Sequence, residues 1–259
     1  MFPALWIPRL RYISETERLD AGTVSSPGFR SQPLDDSQIC EIKEMNEPGE
    51  LLGIYWLETD FGQENEGSSI ADMAERRERW ELRPGWSTYF AACSAVWDDL
   101  RCFPVAEKTD GSGPTVSFED SWLYGRSYGG ERGHEGTDII PSLNERGVLP
   151  VVSMTDGVVE SKGWLELGGY RLGIRAPHGG YFYYAHLDSY ADLEEGDTVQ
   201  AGELLGYMGD TGYSKIEGTT GNFPVHLHMG IYVDAGNEEV SVNPYPALRY
   251  VEDERIHYK

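Results

Sequence analysis

The segment Asn222–Val233, with the sequence NFPVHLHMGIYV, decides the fold that the rest of the chain must support. Its apolar residues predict a buried β-strand, and this strand carries two histidines, His226 and His228, two positions apart. Side chains alternate between the two faces of a strand, so both imidazoles leave from the same face, about 7 Å apart along the backbone. Neutral imidazole is a good zinc ligand. The pair therefore indicates either a metal site or a core histidine with a neighbour.

A second segment, Gly133–Asp138 (GHEGTD), favours the metal site. It places His134 and the carboxylate of Asp138 four positions apart, between glycines that allow the backbone to bend. With one histidine of the HLH pair, these residues provide two imidazoles and one carboxylate. Three protein ligands leave the fourth position of a tetrahedral zinc ion for water, which is the arrangement of catalytic sites. Zinc lowers the pKa of that water to near 7 and polarises a carbonyl group.

A third segment, Tyr181–Leu187 (YFYYAHL), predicts an aromatic strand that ends in His186, with Phe182 and Tyr184 on the same face as that histidine. In this order, GHEGTD, YYAHL and HLHMGI resemble the motifs of the lysostaphin-type zinc metalloendopeptidases. These enzymes, with a LytM-like catalytic domain, cut the peptide part of bacterial peptidoglycan. The resemblance covers roughly residues 121–242, a little under half of the chain.

The resemblance implies a role for each matching residue. Three residues would bind one zinc ion per chain: His134, Asp138 and His228. His226 and His186 would be the catalytic pair that does not bind the metal and acts on the water and the tetrahedral intermediate. Tyr128, in the sequence SYGGERGH, would help to stabilise the oxyanion.

The expected function is therefore that of a zinc-dependent endopeptidase that hydrolyses peptide bonds in the stem peptide or the cross-bridge of peptidoglycan. The alternative is a catalytically silent module that binds the cell wall, or acts as a scaffold, with the same fold. Two segments are longer than is usual in the family, namely residues 213–222 and the connection that follows Asp138. We expect both to lie near the groove and to influence specificity.

From about Val116 the sequence consists of short apolar segments separated by glycine turns, which predicts an antiparallel β-sandwich or flattened barrel. The resemblance implies a duplicated, lipoyl-like hybrid motif. Residues 196–212 (GDTVQAGELLGYMGDTG) are also similar to half of a biotinyl/lipoyl-type barrel, and so a carrier or binding module is a further alternative. Carriers present a lysine at a hairpin tip, whereas neither Lys162 nor Lys215 has the usual Met-Lys context.

The N-terminal part differs from this pattern. Residues 1–35 predict an extended arm, and residues 36–103 predict a small helical domain of unknown role, ahead of a peptidase domain at 116–259. The chain thus has a two-part α+β organisation. The helix that begins at Trp86 has a wide aromatic stripe, so we expect the helical domain to dock beside the zinc cleft and narrow it. The Gly- and Ser-containing link Cys102–Pro114 would equally suit an independent module on a flexible tether.

Two features of the N-terminal part leave alternatives open. Glu58 ends a predicted buried helix, where it is either the acid of a lysozyme-like second activity or a carboxylate paired with an arginine. The three cysteines show no spacing typical of metal ligands, and we expect buried thiols rather than a disulfide framework.

The overall charge bears on partners and on location. The chain has 21 Lys+Arg against 44 Asp+Glu, a formal net charge of −23. Such an acidic surface disfavours nucleic acid and electrostatic attachment to anionic wall polymers. No apolar run is long enough for a membrane span, and the first residues lack the features of a secretory signal. Because the expected substrate lies outside the membrane, we expect an extracellular or cell-envelope location, with a leader removed or another route of export.

Overall fold

The computed structural model describes residues 18–64, 67–128 and 130–259. Helices come first and strands follow, so the predicted α+β organisation with a mostly antiparallel sheet is confirmed. The α-helices are α1 (Pro27–Ser31), α2 (Asp36–Ile42), α3 (Gly49–Glu58), α4 (Arg77–Trp80), α5 (Trp86–Trp97) and α6 (Tyr245–Tyr250), with 3₁₀ turns at Thr23–Ser25 and Ala71–Arg76. Among the described residues, none of these helices has the length and apolarity needed to cross a membrane.

The strands alternate with short turns over the rest of the chain. They are β1 (Glu107–Lys108), β2 (Val116–Phe118), β3 (Gly125–Arg126), β4 (Arg132–Gly133), β5 (Thr137–Pro141), β6 (Pro150–Val152), β7 (Gly157–Leu165), β8 (Gly169–Arg175), β9 (Tyr181–Tyr190), β10 (Thr198–Val199), β11 (Leu204–Met208), β12 (Leu227–Asp234), β13 (Glu239–Val242) and β14 (His257–Tyr258).

The predicted extended arm contains helical structure in its described part, whereas residues 1–17 lie outside the described residues. Helix α1 forms here because the Ser26 hydroxyl accepts a hydrogen bond from the Phe29 amide at 3.2 Å, and Pro27 occupies the first turn. A serine cap followed by proline is a strong start signal for a helix. The sequence analysis did not predict this helix because five residues are too few to show the helical periodicity of apolar side chains.

Glu58, at the end of α3, is paired within the helical region. Its carboxylate accepts hydrogen bonds from Arg79 at 2.9 Å and from the indole nitrogen of Trp80 at 2.7 Å. Of the two alternatives for Glu58, the structure thus shows the carboxylate paired with an arginine. The cysteines Cys40, Cys93 and Cys102 are free thiols, and the last two are buried.

The main sheet is a ten-stranded antiparallel sheet with the order β10-β7-β8-β9-β12-β5-β2, and β6, β11 and β13 are attached to it. Strand β9 changes its partner halfway along. Its first part, Tyr181–Ala185, pairs with β12, and its second part pairs with β11 from Leu187 onward. His186 lies at this change of partner, so the sheet forks at a histidine.

The face of β12 that points away from the histidines is covered by helix α5. Met229, Ile231 and Val233 alternate with the outward-facing residues and are fully buried. Helix α5 packs on this face of β12, and one apolar cluster joins the helices to the sheet. The helices therefore form a layer on the back of the sheet instead of standing beside the cleft, because the apolar side of β12 must be buried.

A hydrogen-bonded pair ties the end of α5 to the turn between β8 and β9. The buried Asp99 carboxylate accepts the His178 amide at 2.7 Å and the His178 ring nitrogen Nδ1 at 2.9 Å. This hydrogen bond raises the pKa of His178, although burial partly opposes the effect. His178 thus connects the two layers.

We expect this pair to make stability depend on pH. Because folding raises the pKa of His178, its stabilisation is complete below the unfolded value of about 6.5 and is lost as the pH rises through the higher folded value. The side chain is 44 % exposed, so screening by water limits the effect to about 0.5 kcal/mol. Urea unfolding measured between about pH 6 and pH 8 should show this decline. His178→Asn should flatten it, and an unchanged slope in that variant would exclude the pair as its source.

Candidate active site

An open cleft of about 550 Å³ lies on the face of the sheet opposite helix α5. Its floor is formed by outward-facing residues of β9 and β12, among them Tyr181, Tyr183, His228 and Tyr232. The cleft-lining residues come from Arg126 to Glu239, so the helices support the cleft from behind. The helical region reaches its rim through Arg30 of α1, which donates to Glu135 at 2.8 Å.

Two imidazoles and a carboxylate converge in the cleft. Nε2 of His134 lies 2.9 Å from Nδ1 of His228, and both nitrogens lie 3.1 Å from Oδ1 of Asp138. Asp138 and His228 are directly opposed on β5 and β12, and the turn before β5 brings His134 to them. The sequence pattern therefore identified three residues that the structure places in one group.

The geometry of this group fits a zinc ion. Zinc–ligand bonds of 2.0–2.2 Å at tetrahedral angles set ligand atoms about 3.4 Å apart, close to the distances observed here. Nδ1 of His134 lies 3.2 Å from the Ser121 carbonyl oxygen and donates to it, which leaves Nε2 with its lone pair toward Asp138 and His228. Two ring nitrogens and one carboxylate oxygen thus face one point.

The carboxylate of Asp138 is held in its ionised form. Burial would raise its pKa, but its close contacts with the imidazoles of His134 and His228 outweigh this and hold the pKa well below its usual range. Its second oxygen, Oδ2, accepts a hydrogen bond from Arg126 on β3. Oδ1 is thereby turned toward the two imidazoles.

His186 occupies the fork of the sheet in an unusual conformation. Its φ angle is +63°, in the left-handed region that few residues other than glycine adopt. Such an irregularity at a change of strand pairing re-aims the side chain. Nδ1 of the ring donates to the Thr211 carbonyl at 2.7 Å, so Nε2 is the basic atom. Burial, followed by the charges of His226 and His228, keeps the pKa of His186 well below its usual value.

His226 lies one residue before β12, in an isolated bridge with Gly209. The predicted strand from Asn222 is therefore shorter than expected, because Phe223–Val225 turn toward other partners. Nδ1 of His226 donates to the Pro224 carbonyl at 2.8 Å, and Nε2 lies 3.7 Å from Oδ1 of Asp138. The rings of His226 and His186 are 4.7 Å apart. Both rings thus flank the group of His134, Asp138 and His228.

Tyr128 is connected to the cleft through Tyr213. Its hydroxyl donates to the Tyr213 carbonyl, and its ring stacks on the Tyr213 ring with centroids 4.4 Å apart. Tyr213 lines the cleft and meets His186 edge-to-face at 5.9 Å. Tyr128 is therefore one ring away from the histidines.

The longer segment at 213–222 forms part of the cleft wall. Its first residue, Tyr213, contacts Phe223 at 4.8 Å, and Phe223 in turn lies 4.6 Å from the His186 ring. The segment is attached to the β7–β8 hairpin by a hydrogen bond from the Trp164 indole to the Ser214 carbonyl at 3.1 Å. Two aromatic rings, those of Tyr213 and Phe223, thus contact the His186 ring.

Three arginines of the cleft were not singled out from the sequence. Arg126, Arg132 and Arg171 all line it. No local motif marks them, because their side chains come together only when β3, β4 and β8 assemble. A basic group inside so acidic a chain is the feature that could have drawn attention to them.

Comparison with known proteins agrees with this architecture. The profile of the peptidase family M23 matches residues 132–244, and that of the LytM N-terminal domain matches residues 14–99. A solved structure described as a putative glycyl-glycine endopeptidase lytM from Ruminococcus gnavus is 48 % identical. Its TM-score is 0.86, and the match covers 94 % of this chain and 98 % of that one.

Two curated relatives are similar over shorter stretches. The L-Ala–D-Glu endopeptidase of Bacillus subtilis (strain 168) is 44 % identical over 148 residues, which is 57 % of this chain and 42 % of that protein. Lysostaphin of Staphylococcus simulans is 29 % identical over 118 residues, which is 45 % of this chain and 21 % of that protein. The chain thus spans less than half the length of these curated relatives.

The fold and the site define a two-layer protein in which an antiparallel sheet, backed by helices, carries a group of two histidines and one carboxylate in an open cleft. The chain belongs to the peptidase family M23, of the lysostaphin and LytM type.

Proposed function

We propose that this protein is a zinc-dependent endopeptidase that hydrolyses peptide bonds in bacterial peptidoglycan. The observation that carries the proposal is the convergence of His134 Nε2, His228 Nδ1 and Asp138 Oδ1 within 2.9–3.1 Å of one another in an open cleft. Membership of a peptidase family and the endopeptidase names of two similar proteins, from Bacillus subtilis and Ruminococcus gnavus, support it. A location outside the membrane, where this substrate lies, is part of the proposal.

His134, Asp138 and His228 would hold the zinc ion. When bound, zinc supplies Lewis acidity, which lowers the pKa of a water molecule and polarises the scissile carbonyl. Arg126 fixes the orientation of Asp138 by holding its second oxygen. Their proposed role as ligands is supported by their donor atoms and by the Ser121 carbonyl 3.2 Å from Nδ1 of His134, which favours a proton on Nδ1 and leaves Nε2 for the metal.

His186 and His226 would move the proton. Each ring donates through Nδ1 to a backbone carbonyl, that of Thr211 or Pro224, and so each keeps Nε2 as an acceptor. One Nε2 would take the proton of the attacking water and later deliver it to the leaving amine. Tyr128 would stabilise the charge that develops on the carbonyl oxygen once its hydroxyl leaves the Tyr213 carbonyl.

Digestion of purified peptidoglycan tests this function. The zinc-loaded protein should release soluble peptides, and mass spectrometry of the products from defined muropeptides would identify the bond that is cut. Wild-type protein that binds zinc but releases no peptide from any muropeptide would contradict the proposal.

The proposal also predicts a role for Arg126. We expect Arg126→Gln to weaken zinc binding by about 10- to 100-fold, because an outer partner of a ligating carboxylate is lost while all ligands remain. Competition with a chromophoric chelator measures this affinity. Arg76→Gln removes the same charge from an exposed position in the helical region and serves as the control. Equal affinities in the two variants would show that Arg126 does not orient Asp138.

A further inference from the structure

The acidic residues of the cleft already have arginine partners. Glu135 is paired with Arg30 at 2.8 Å, and Glu239 is paired with Arg175 at 2.8 Å. Asp138 is held by Arg126. Each carboxylate that lines the cleft therefore already has an arginine partner.

Two other arginines of the cleft are not paired in this way. Within residues 18–64, 67–128 and 130–259, neither Arg132 nor Arg171 forms an ion pair, and Nε of Arg132 and Nη1 of Arg171 are buried without a hydrogen-bond acceptor. A buried donor without a partner is costly. In a chain with 44 acidic residues against 21 basic ones, two such cations in one cleft call for an external acceptor.

Both arginines line the cleft beside the tyrosines of its floor. On β8, Arg171 lies two residues before Gly173, which pairs with Tyr183 on β9, so Arg171 and Tyr183 are on the same face of the sheet. Arg132 on β4 lines the same cleft as Tyr232 on β12. The rings of Tyr183 and Tyr232 are in contact at 6.2 Å, and the Tyr183 ring meets His228 at 6.0 Å. The two cations thus border one tyrosine-lined surface beside the candidate metal ligands.

The pairing of strands β3 and β4 gives a further reason to expect an anion at Arg132. Arg126 and Arg132 are directly opposed across this ribbon, an arrangement in which like charges destabilise the pairing. Arg126 is committed to Asp138, which leaves Arg132 as the charge that a bound anion would offset. The guanidinium group fits a carboxylate through two parallel hydrogen bonds.

We propose that Arg132 and Arg171 form a subsite that binds a free carboxylate of the substrate peptide close to the scissile bond. The inference rests on the proposed peptidase function and names its substrate class: peptides with an acidic residue at the cleavage site, in preference to uncharged glycine runs. The local positive charge also attracts an anionic peptide to a protein whose surface otherwise repels it.

Two peptides that differ in one group test the subsite. The first is L-alanyl-γ-D-glutamyl-L-lysine, in which the α-carboxylate of the D-glutamyl residue is free. The second is the same peptide with that D-glutamyl α-carboxylate converted to a carboxamide. The wild-type zinc-loaded protein should cleave the acid with a kcat/KM about 10- to 100-fold higher than the amide, the range for a hydrogen bond to a charged group. Arg132→Gln and Arg171→Gln should each reduce this ratio, mainly by raising KM for the acid. Arg76→Gln, with the same loss of charge in the helical region, should retain the ratio.

The outcomes separate the subsite from the activity. Equal cleavage of the acid and the amide by the wild-type protein overturns the subsite and leaves the peptidase function standing. Cleavage of neither peptide nor of purified peptidoglycan contradicts the peptidase function. Calorimetric binding of the same two peptides then decides the subsite alone, since equal affinities overturn it and a preference for the acid that is lost in Arg132→Gln supports it. Zinc content is measured in every variant, because Arg132 lies two residues before His134.

Discussion

Replacing His228 with alanine should remove zinc from the protein. The ring would supply one of the three proposed ligand atoms, and its Nδ1 lies within 3.1 Å of the other two. We expect the loss of affinity to exceed the roughly 100-fold that the loss of an outer partner costs. Elemental analysis of protein purified without chelator measures the result. Full retention of the metal in His228→Ala would refute the assignment of this ligand.

A second variant tests the same position without removing the ring. A Cβ atom added at Gly136 would lie 2.4 Å from Cε1 of His228 and 2.7 Å from the Met229 carbonyl oxygen. Because backbone lies on one side, the ring would have to move, and we expect Gly136→Ala to lose zinc as well. Gly179→Ala is a useful comparison, since a Cβ atom there meets nothing within 4 Å, although its positive φ adds some strain of its own.

Replacing His226 or His186 should, unlike replacing His228, leave zinc bound while activity is lost. We expect His226→Ala and His186→Asn to lower kcat/KM by about 10²- to 10⁴-fold, the usual contribution of a positioned acid or base. Asparagine is chosen at position 186 because it tolerates the positive φ angle that alanine resists. Peptide hydrolysis and zinc content are measured on the same samples.

The exposed His257 provides the matched control for loss of an imidazole. His257→Ala should behave as the wild-type protein in both measurements. If His226→Ala loses its zinc while His228→Ala keeps it, the roles of the two histidines in the HLH pair must be exchanged. If His226→Ala and His186→Asn both retain zinc and full activity, the proposed proton transfer is wrong.

The sequence predicted much of the site because alternation along a strand is a local property. His226 and His228 do lie on the cleft side, and His134 and Asp138 do join them. The glycines of GHEGTD were attributed to a bend in the backbone, however, and this explanation is incomplete for Gly136. The φ angle of Gly136 is not positive, and the residue is glycine because the His228 ring occupies the space of a side chain.

What could not be predicted depends on which strands meet. The left-handed conformation of His186 follows from the fork between β11 and β12, and no signal within YFYYAHL announces it. The role proposed for Arg132 and Arg171 rests on a buried nitrogen of each side chain that has no hydrogen-bond acceptor among the described residues, and only the assembled cleft reveals this. The wide aromatic stripe of α5 was correctly linked to burial, but its rings pack on the other helices and not at the cleft rim: Tyr89 contacts Phe29 of α1, and Trp97 contacts Trp56 of α3.

The helices on the back of the sheet bear on how such a chain can diverge. Genetic recombination within the link Cys102–Pro114 would join the sheet to an unrelated partner, yet Met229, Ile231 and Val233 would then face solvent. An apolar surface of this kind promotes aggregation. Successful exchange therefore requires that the incoming segment bring its own cover for β12. Because they share this apolar interface, the helical region and the sheet of this protein are expected to evolve together, although their sequences match separate family profiles.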